Sequence, residues 1–107
     1  MTPTGAPLRP ALAGIALRRA IREAVRPILD LDRYQLFLFG SEVLGAADRR
    51  SDIDVGILGA APLSGALVQQ LQERLEALWT LRSFDVVDLG AVDDAFRTEA
   101  LDHAERL

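Results

Sequence analysis

Apolar positions recur at helical spacing in three parts of the chain, and this pattern predicts three main helices. The first also contains Pro27, which lacks the N–H donor that a helix interior needs, so that helix should bend or end near Val25. The predicted helices run from Ala11 to about Leu31, from an N-cap at Ser64 to about Leu81, and over about Val92–Arg106.

Three short apolar runs lie between these helices and predict strands at about Gln35–Phe39, Ile53–Leu58 and Phe84–Leu89. The first run is apolar throughout, which predicts a strand that is covered on both faces. A further turn of helix is predicted over Ser41–Ala46. Helices and strands therefore alternate, and this order predicts an α/β (α+β) fold in which helices cover a small sheet.

The length and composition predict one globular domain. The 107 residues allow a single core, so we expect a flexible proline-rich segment over residues 1–10 and one domain over residues 11–107. No apolar run approaches a membrane span, and the first residues lack the pattern of a secretory signal. Cysteine is absent, which excludes disulfides and thiolate metal sites and makes the cytoplasm the simplest location.

The charged residues exclude some chemistries. The formal net charge of −4 argues against a broad nucleic-acid-binding face. All basic residues apart from one histidine are arginines, a bias that genome composition or a thermophilic source would explain. Without lysine, a Walker-type phosphate loop and Schiff-base catalysis are excluded. His103 is expected to be a surface residue, and Trp79 is expected to belong to the leucine stripe of the second helix.

Candidate chemistry is concentrated between Leu38 and Leu58. Gly40 and Ser41 follow the first apolar run, where free backbone N–H groups at a helical turn would face a phosphate. Asp52 and Asp54 are two residues apart, so on a strand they share one face and one cation can touch both. Turn and strand-cap roles explain the same pair, although Asp54 stands within the apolar run. The spacing leaves both interpretations open.

The third strand offers two further carboxylates. Asp85 and Asp88 are three residues apart, so they face opposite sides of a strand and only one can join the pair. Asp88 has a structural alternative as a cap for the following helix, just before Gly90. Asp85 lies between apolar residues and has no such alternative. We therefore expect Asp85 to complete the site.

The order of a Gly-Ser pair, ten residues and an Asp-x-Asp motif resembles the minimal nucleotidyltransferases of the DNA polymerase beta-like superfamily. Gly45 matches the second glycine of that motif. The resemblance implies a mixed sheet of three or four strands and transfer of a nucleoside monophosphate from a triphosphate such as ATP. It also implies that Asp52, Asp54 and Asp85 hold two Mg²⁺ ions and act in catalysis, and that Gly40, Ser41 and Gly45 bind the nucleotide.

One position departs from the family pattern. The motif often carries an arginine where this chain has Leu44, which implies weakened catalysis if that arginine holds the triphosphate. Arg49 or Arg50 would compensate, or would be solvated charges of the loop.

Partners are also implied by the resemblance. Minimal nucleotidyltransferases are typically antitoxins paired with a helical HEPN RNase toxin, to which they transfer AMP on a tyrosine. The leading hypothesis is therefore a metal-dependent protein adenylyltransferase acting as an antitoxin. The alternatives are an antitoxin that neutralises its toxin by binding alone, and a transferase of small molecules. Direct contact with nucleic acid or membrane is not expected, and self-association is left open.

Overall fold

Seven elements are present in the residues that the structure, a computed structural model, describes: 12–40, 52–80 and 82–107. The helices are α1 (Gly14–Val25), α2 (Gly65–Glu76) and α3 (Asp94–Asp102). The strands are β1 (Tyr34–Phe39), β2 (Ile53–Gly59), β3 (Phe84–Asp88) and β4 (Glu105–Arg106). The predictions for residues 1–10 and for the turn at 41–46 lie outside the described residues.

The first two helices begin or end where local chemistry predicted. Helix α1 ends at Val25, shortly before Pro27. Helix α2 begins after Ser64, whose Oγ accepts from the Leu67 N–H at 3.1 Å. Its predicted end was wrong, because α2 stops at Glu76 and the Thr80 N–H turns back to the Leu78 carbonyl at 2.9 Å. Trp79 therefore lies beyond the helix and is exposed, so its assignment to the leucine stripe was also wrong.

The last predicted helix was too long at both ends. Helix α3 starts after Asp93, whose carboxylate accepts from the Phe96 N–H at 2.8 Å. The helix ends at Asp102, and β4 then pairs antiparallel with β1. The Leu107 N–H extends this pairing to the Leu36 carbonyl at 2.8 Å, and Glu105 Oε2 lies 2.7 Å from Arg18 Nε on α1. Contacts between distant segments thus override the helical pattern here.

The four strands form one mixed sheet in the order β3-β2-β1-β4. Strand β1 is antiparallel to β2 and to β4, whereas β2 and β3 are parallel. Three strand predictions are confirmed to within one residue at each end. Alternation along β1 and β2 sends one set of side chains towards α1 and α2, where the core lies. Its fully buried residues are Leu17, Ile21, Val25, Leu36, Leu38, Ile53, Val55, Ile57, Leu71 and Leu75.

The opposite face of the sheet is only partly covered. Helix α3 places Phe96 edge-on against Phe39, with the ring centroids 6.5 Å apart. Gln35, at the other end of β1, is exposed, so β1 is covered on both faces only near Phe39. This face therefore has open room beside α3, and the candidate carboxylates lie on it. No helix in the described ranges is long and apolar enough to cross a membrane.

Candidate active site

Gly40 directly follows β1 and adopts a backbone conformation that favours glycine. Its φ is +77°, in the left-handed region where a Cβ is strained. A Cβ at this position would also overlap with Oδ2 of the Asp54 carboxylate. Two independent features therefore favour glycine at this turn: its positive φ and the Asp54 carboxylate that packs against it.

The strand register brings the candidate carboxylates of β2 and β3 together. Asp54 pairs with Phe39 across β1 and with Asp85 across β3. Directly paired residues point to the same face, so Asp54 and Asp85 are neighbours on the partly covered face. The Ile53 N–H donates to the Ser83 carbonyl at 2.8 Å and fixes this register at the start of both strands. Asp52 is exposed immediately before β2.

Asp54 has a perturbed carboxyl group. Partial burial raises its pKa above the usual aspartate range, and the neighbouring charges of Asp85 and then Asp52 raise it further. The positive charge of Arg82 acts in the opposite direction. Asp85 and Asp52 are therefore both close enough to repel the charge of Asp54, and a bound cation would relieve this repulsion.

Arg82 is a site residue that the sequence reasoning missed. It precedes β3, is partly buried, and its backbone N–H donates to Thr80 Oγ1 at 3.2 Å. Its guanidinium acts on Asp54, which lies on β2. A single arginine before an apolar run is usually a solvated charge, so the sequence carries no distinctive signal for this placement.

Asp85 and Asp88 occupy opposite faces of β3, and only Asp85 joins Asp54. Asp88 instead accepts two backbone hydrogen bonds, from the Leu63 N–H at 2.8 Å and from the Gly90 N–H at 3.1 Å. It joins the segment before α2 to the turn after β3. The alternative of Asp88 as the cap of the following helix was wrong, because Asp93 performs that role.

Replacing Asp88 with alanine should destabilise the fold. Two backbone donors would lose a charged acceptor, at a cost of about 1–3 kcal/mol in the free energy of unfolding. The matched change Asp85→Ala removes an exposed side chain and should alter it by less than about 0.5 kcal/mol. Urea unfolding of both variants measures the difference. An Asp88→Ala protein as stable as the wild type would contradict this structural role.

A pocket of about 260 Å³ opens between the end of β1 and helix α3. Its walls include Phe39, Gly40, Phe96, Glu99, Ala100 and His103. Because Gly40 also packs against Asp54, the pocket adjoins the carboxylates. His103 is more than half exposed, in agreement with its expected surface position.

The described geometry thus combines paired carboxylates, a glycine turn and an adjoining pocket. The family model for polymerase beta nucleotidyltransferases matches residues 33–107, well over half of the chain. The chain belongs to this family. No curated protein matches the nucleotidyltransferase at a significant level.

Solved structures resemble the nucleotidyltransferase over most of its length. A crystal structure of a toxin–antitoxin with AMP-PNP is 25% identical, with a TM-score of 0.65 over 82% of this chain and 69% of that one. A mutant of the MntA–HpeT toxin–antitoxin is 25% identical, with a TM-score of 0.68 over 84% and 70%. The tri-AMPylated HEPN toxin of Shewanella oneidensis in complex with MNT antitoxin is 22% identical, with a TM-score of 0.65 over 84% and 67%. The resemblance to minimal nucleotidyltransferase antitoxins is therefore confirmed.

Part of the nucleotidyltransferase motif falls outside the described residues. Ser41 and Gly45, predicted to bind nucleotide, are in residues 41–51, together with Leu44, Arg49 and Arg50. Their roles stay predictions.

The donor set of the nucleotidyltransferase suits a hard divalent cation. Asp52, Asp54 and Asp85 supply only carboxylate oxygens, the ligands that Mg²⁺ prefers. Within residues 12–40, 52–80 and 82–107, no three carboxylate or imidazole groups are already gathered in the arrangement of a metal site. Asp85 and Asp52 nevertheless repel the charge of Asp54, and a bound cation would offset this repulsion.

Proposed function

We propose that this nucleotidyltransferase transfers AMP from ATP to a tyrosine hydroxyl of a partner HEPN RNase toxin and thereby acts as its antitoxin. The observation that carries the proposal is the pairing of Asp54 with Asp85, next to Asp52 and against Gly40. Structural likeness to toxin–antitoxin complexes, one with AMP-PNP and one with an AMPylated toxin, supports the choice of nucleotide and acceptor. We place the reaction in the cytoplasm.

The transfer requires one bond to form and one to break. The acceptor oxygen attacks the α-phosphorus of ATP, and the bond from that phosphorus to the oxygen bridging the α- and β-phosphates breaks. Pyrophosphate then leaves with the electron pair of that bond. We assign Asp85 to accept the proton of the attacking hydroxyl, since it is exposed on the same face as Asp54. Gly40, with Ser41 and Gly45, would leave the backbone open to the triphosphate.

The carboxylates would hold the metal ions that the reaction needs. Asp52 and Asp54 would bind two Mg²⁺ ions, and Asp85 would share one of them. When bound, the ions supply positive charge that neutralises the triphosphate and the carboxylates. Asp54, partly buried between two strands, fixes the position of this charge relative to the sheet. Arg82 supplies a further positive charge on the protein side.

A second candidate function is an antitoxin that neutralises its toxin by binding alone. Leu44, which stands where the motif often has arginine, favours it. The fold would then present a partner-binding surface, and the carboxylates would be remnants of catalysis.

The two candidates are separated by incubating the protein with Mg²⁺, ATP labelled at the α-phosphate, and the helical protein encoded beside it. The proposal expects label on that partner, and none when Asp52→Ala and Asp54→Ala are combined. Asp32→Asn, an exposed aspartate ahead of β1, is the control and should label normally. A tight complex without any label would exclude the enzyme and favour binding alone.

A further inference from the structure

The pocket beside α3 has features that the carboxylate site does not use. Phe39 and Phe96 form one wall at a centroid distance of 6.5 Å, and Gly40 forms the end nearest Asp54. Glu99 on α3 and His103, the residue that directly follows the helix, both line the pocket. The pocket is thus mostly apolar, with the Glu99 and His103 side chains in its lining.

We propose that this pocket binds the adenine ring of the nucleotide, with the Glu99 carboxylate accepting a hydrogen bond from the exocyclic amine. The proposal rests on the proposed function, because it identifies where the base of the transferred nucleotide lies. Planar rings stack on aromatic side chains, and Phe96 keeps almost half of its surface exposed towards an incoming ring.

The size and position of the pocket support a base as its occupant. Sites for whole drug-sized ligands span about 300–1,000 Å³, so 260 Å³ suits one ring system with the ribose and phosphates outside. Gly40 lies both in the pocket wall and against Asp54, so the two sites are continuous. A nucleotide with its phosphates at Gly40 and the carboxylates can therefore place its base against Phe39 and Phe96.

Glu99 in the pocket lining favours adenine over the ring of the acceptor tyrosine. A tyrosine accepts AMP only with its hydroxyl beside the carboxylates, and then has no donor left for Glu99. Adenine instead has an amine that donates to a carboxylate. Inosine has a carbonyl at that position, which a carboxylate repels. A carboxylate placed to accept from the exocyclic amine discriminates against inosine, whose nearest donor, the N1–H, lies one ring position away.

The test compares the binding of Mg·ATP and Mg·ITP to the full chain by titration calorimetry. We expect the wild type to bind ATP about five- to tenfold more tightly, a modest ratio because Glu99 is exposed to water. Glu99→Gln should remove this preference, since an amide can donate to the inosine carbonyl. Phe96→Leu should weaken both nucleotides alike. Glu23→Gln, the same change on exposed α1, should leave both affinities unchanged.

Three outcomes would overturn the proposal, and only the last of them would also overturn the proposed function. Equal affinities for ATP and ITP, with Glu99→Gln without effect, would remove the adenine site and leave the transferase intact. Loss of partner labelling in Phe96→Leu with unchanged nucleotide affinity would show that the pocket holds the acceptor side chain instead. Failure of the wild type to bind any nucleotide or to label its partner would defeat the proposed function as well.

Discussion

Replacing Asp54 with asparagine is expected to reduce nucleotidyl transfer strongly while leaving the fold at least as stable as the wild type. The carboxylate is partly buried and lies beside Asp85 and Asp52, so its charge opposes folding, although the proposed reaction needs it. Asparagine has nearly the same shape without the charge. Transfer should fall on the order of 10²- to 10³-fold, the size typical of removing one group that stabilises transition-state charge.

The pH dependence of stability should identify the same group. Because the pKa of Asp54 is raised in the folded protein, its protonation contributes stability that is fully present below the ordinary aspartate pKa of about 4. That contribution is lost as the pH rises through the raised folded pKa. Asparagine has no proton to lose, so Asp54→Asn should gain stability relative to the wild type as the pH rises from about 4 towards neutrality.

Thermal unfolding measured across this pH range, with and without Mg²⁺, tests both expectations. At neutral pH, Mg²⁺ should stabilise the wild type, since a ligand that binds only the folded state shifts unfolding, and should have little effect on Asp54→Asn. Asp88→Asn provides the contrast, because that aspartate accepts backbone hydrogen bonds and its loss should lower stability. A marked loss of stability in Asp54→Asn would show that its charge is structural rather than functional.

Gly40→Ala is expected to remove most of the transferase activity at a modest cost in stability. An alanine held at a φ of +77° should cost about 1–2 kcal/mol. The overlap of its Cβ with Asp54 Oδ2 is with the end of a short side chain, which can rotate away. We therefore expect the Asp54 carboxylate to move away from its position beside Asp85. A carboxylate out of position should no longer place a metal ion correctly for the transfer.

Gly14→Ala is a matched control for this prediction. Gly14 also has a positive φ, +56°, but a Cβ there would meet no atom within 4 Å. It should lose a similar amount of stability, which corresponds to several degrees in melting temperature, and keep full activity. Labelling of the partner and thermal unfolding are measured for both variants. Normal labelling by Gly40→Ala would show that the position of Asp54 does not depend on this glycine.

Much of the fold was predictable because its signals are local. The apolar stripe predicts helix α1, and Pro27 predicts where it ends. Helix α2 begins after Ser64, whose side chain accepts a hydrogen bond from a backbone N–H of the first turn. The early end of α2 and the short α3 were not predictable. Ala77 and Leu78 are compatible with a helix, so nothing local marks the end of α2. Glu105–Arg106 forms a strand only because it pairs with β1 and because Glu105 forms an ion pair with Arg18 of α1. Two residues carry too little periodicity to indicate a strand.

In the candidate site, too, the features with a local signal were predictable and those that depend on distant segments were not. Period-two alternation was enough to place Asp85 and Asp88 on opposite faces of a strand, and Gly40 was expected at a turn that needs glycine. The sequence did not indicate that the charge of Arg82 acts on Asp54, because this interaction joins residues far apart in the chain. Nor did it indicate the pocket, whose walls come from β1 and α3.

The sequence by itself determined which residues could serve in this protein: a turn glycine, carboxylates within apolar strands, and the order of helices and strands. Only the tertiary structure decided which of them meet. Pairing β2 parallel to β3 in one register puts Asp54 beside Asp85, and a shift of one residue would have sent one of them to the core face. The physical reason is that periodicity reports contacts a few residues apart, whereas register is fixed by packing between distant segments.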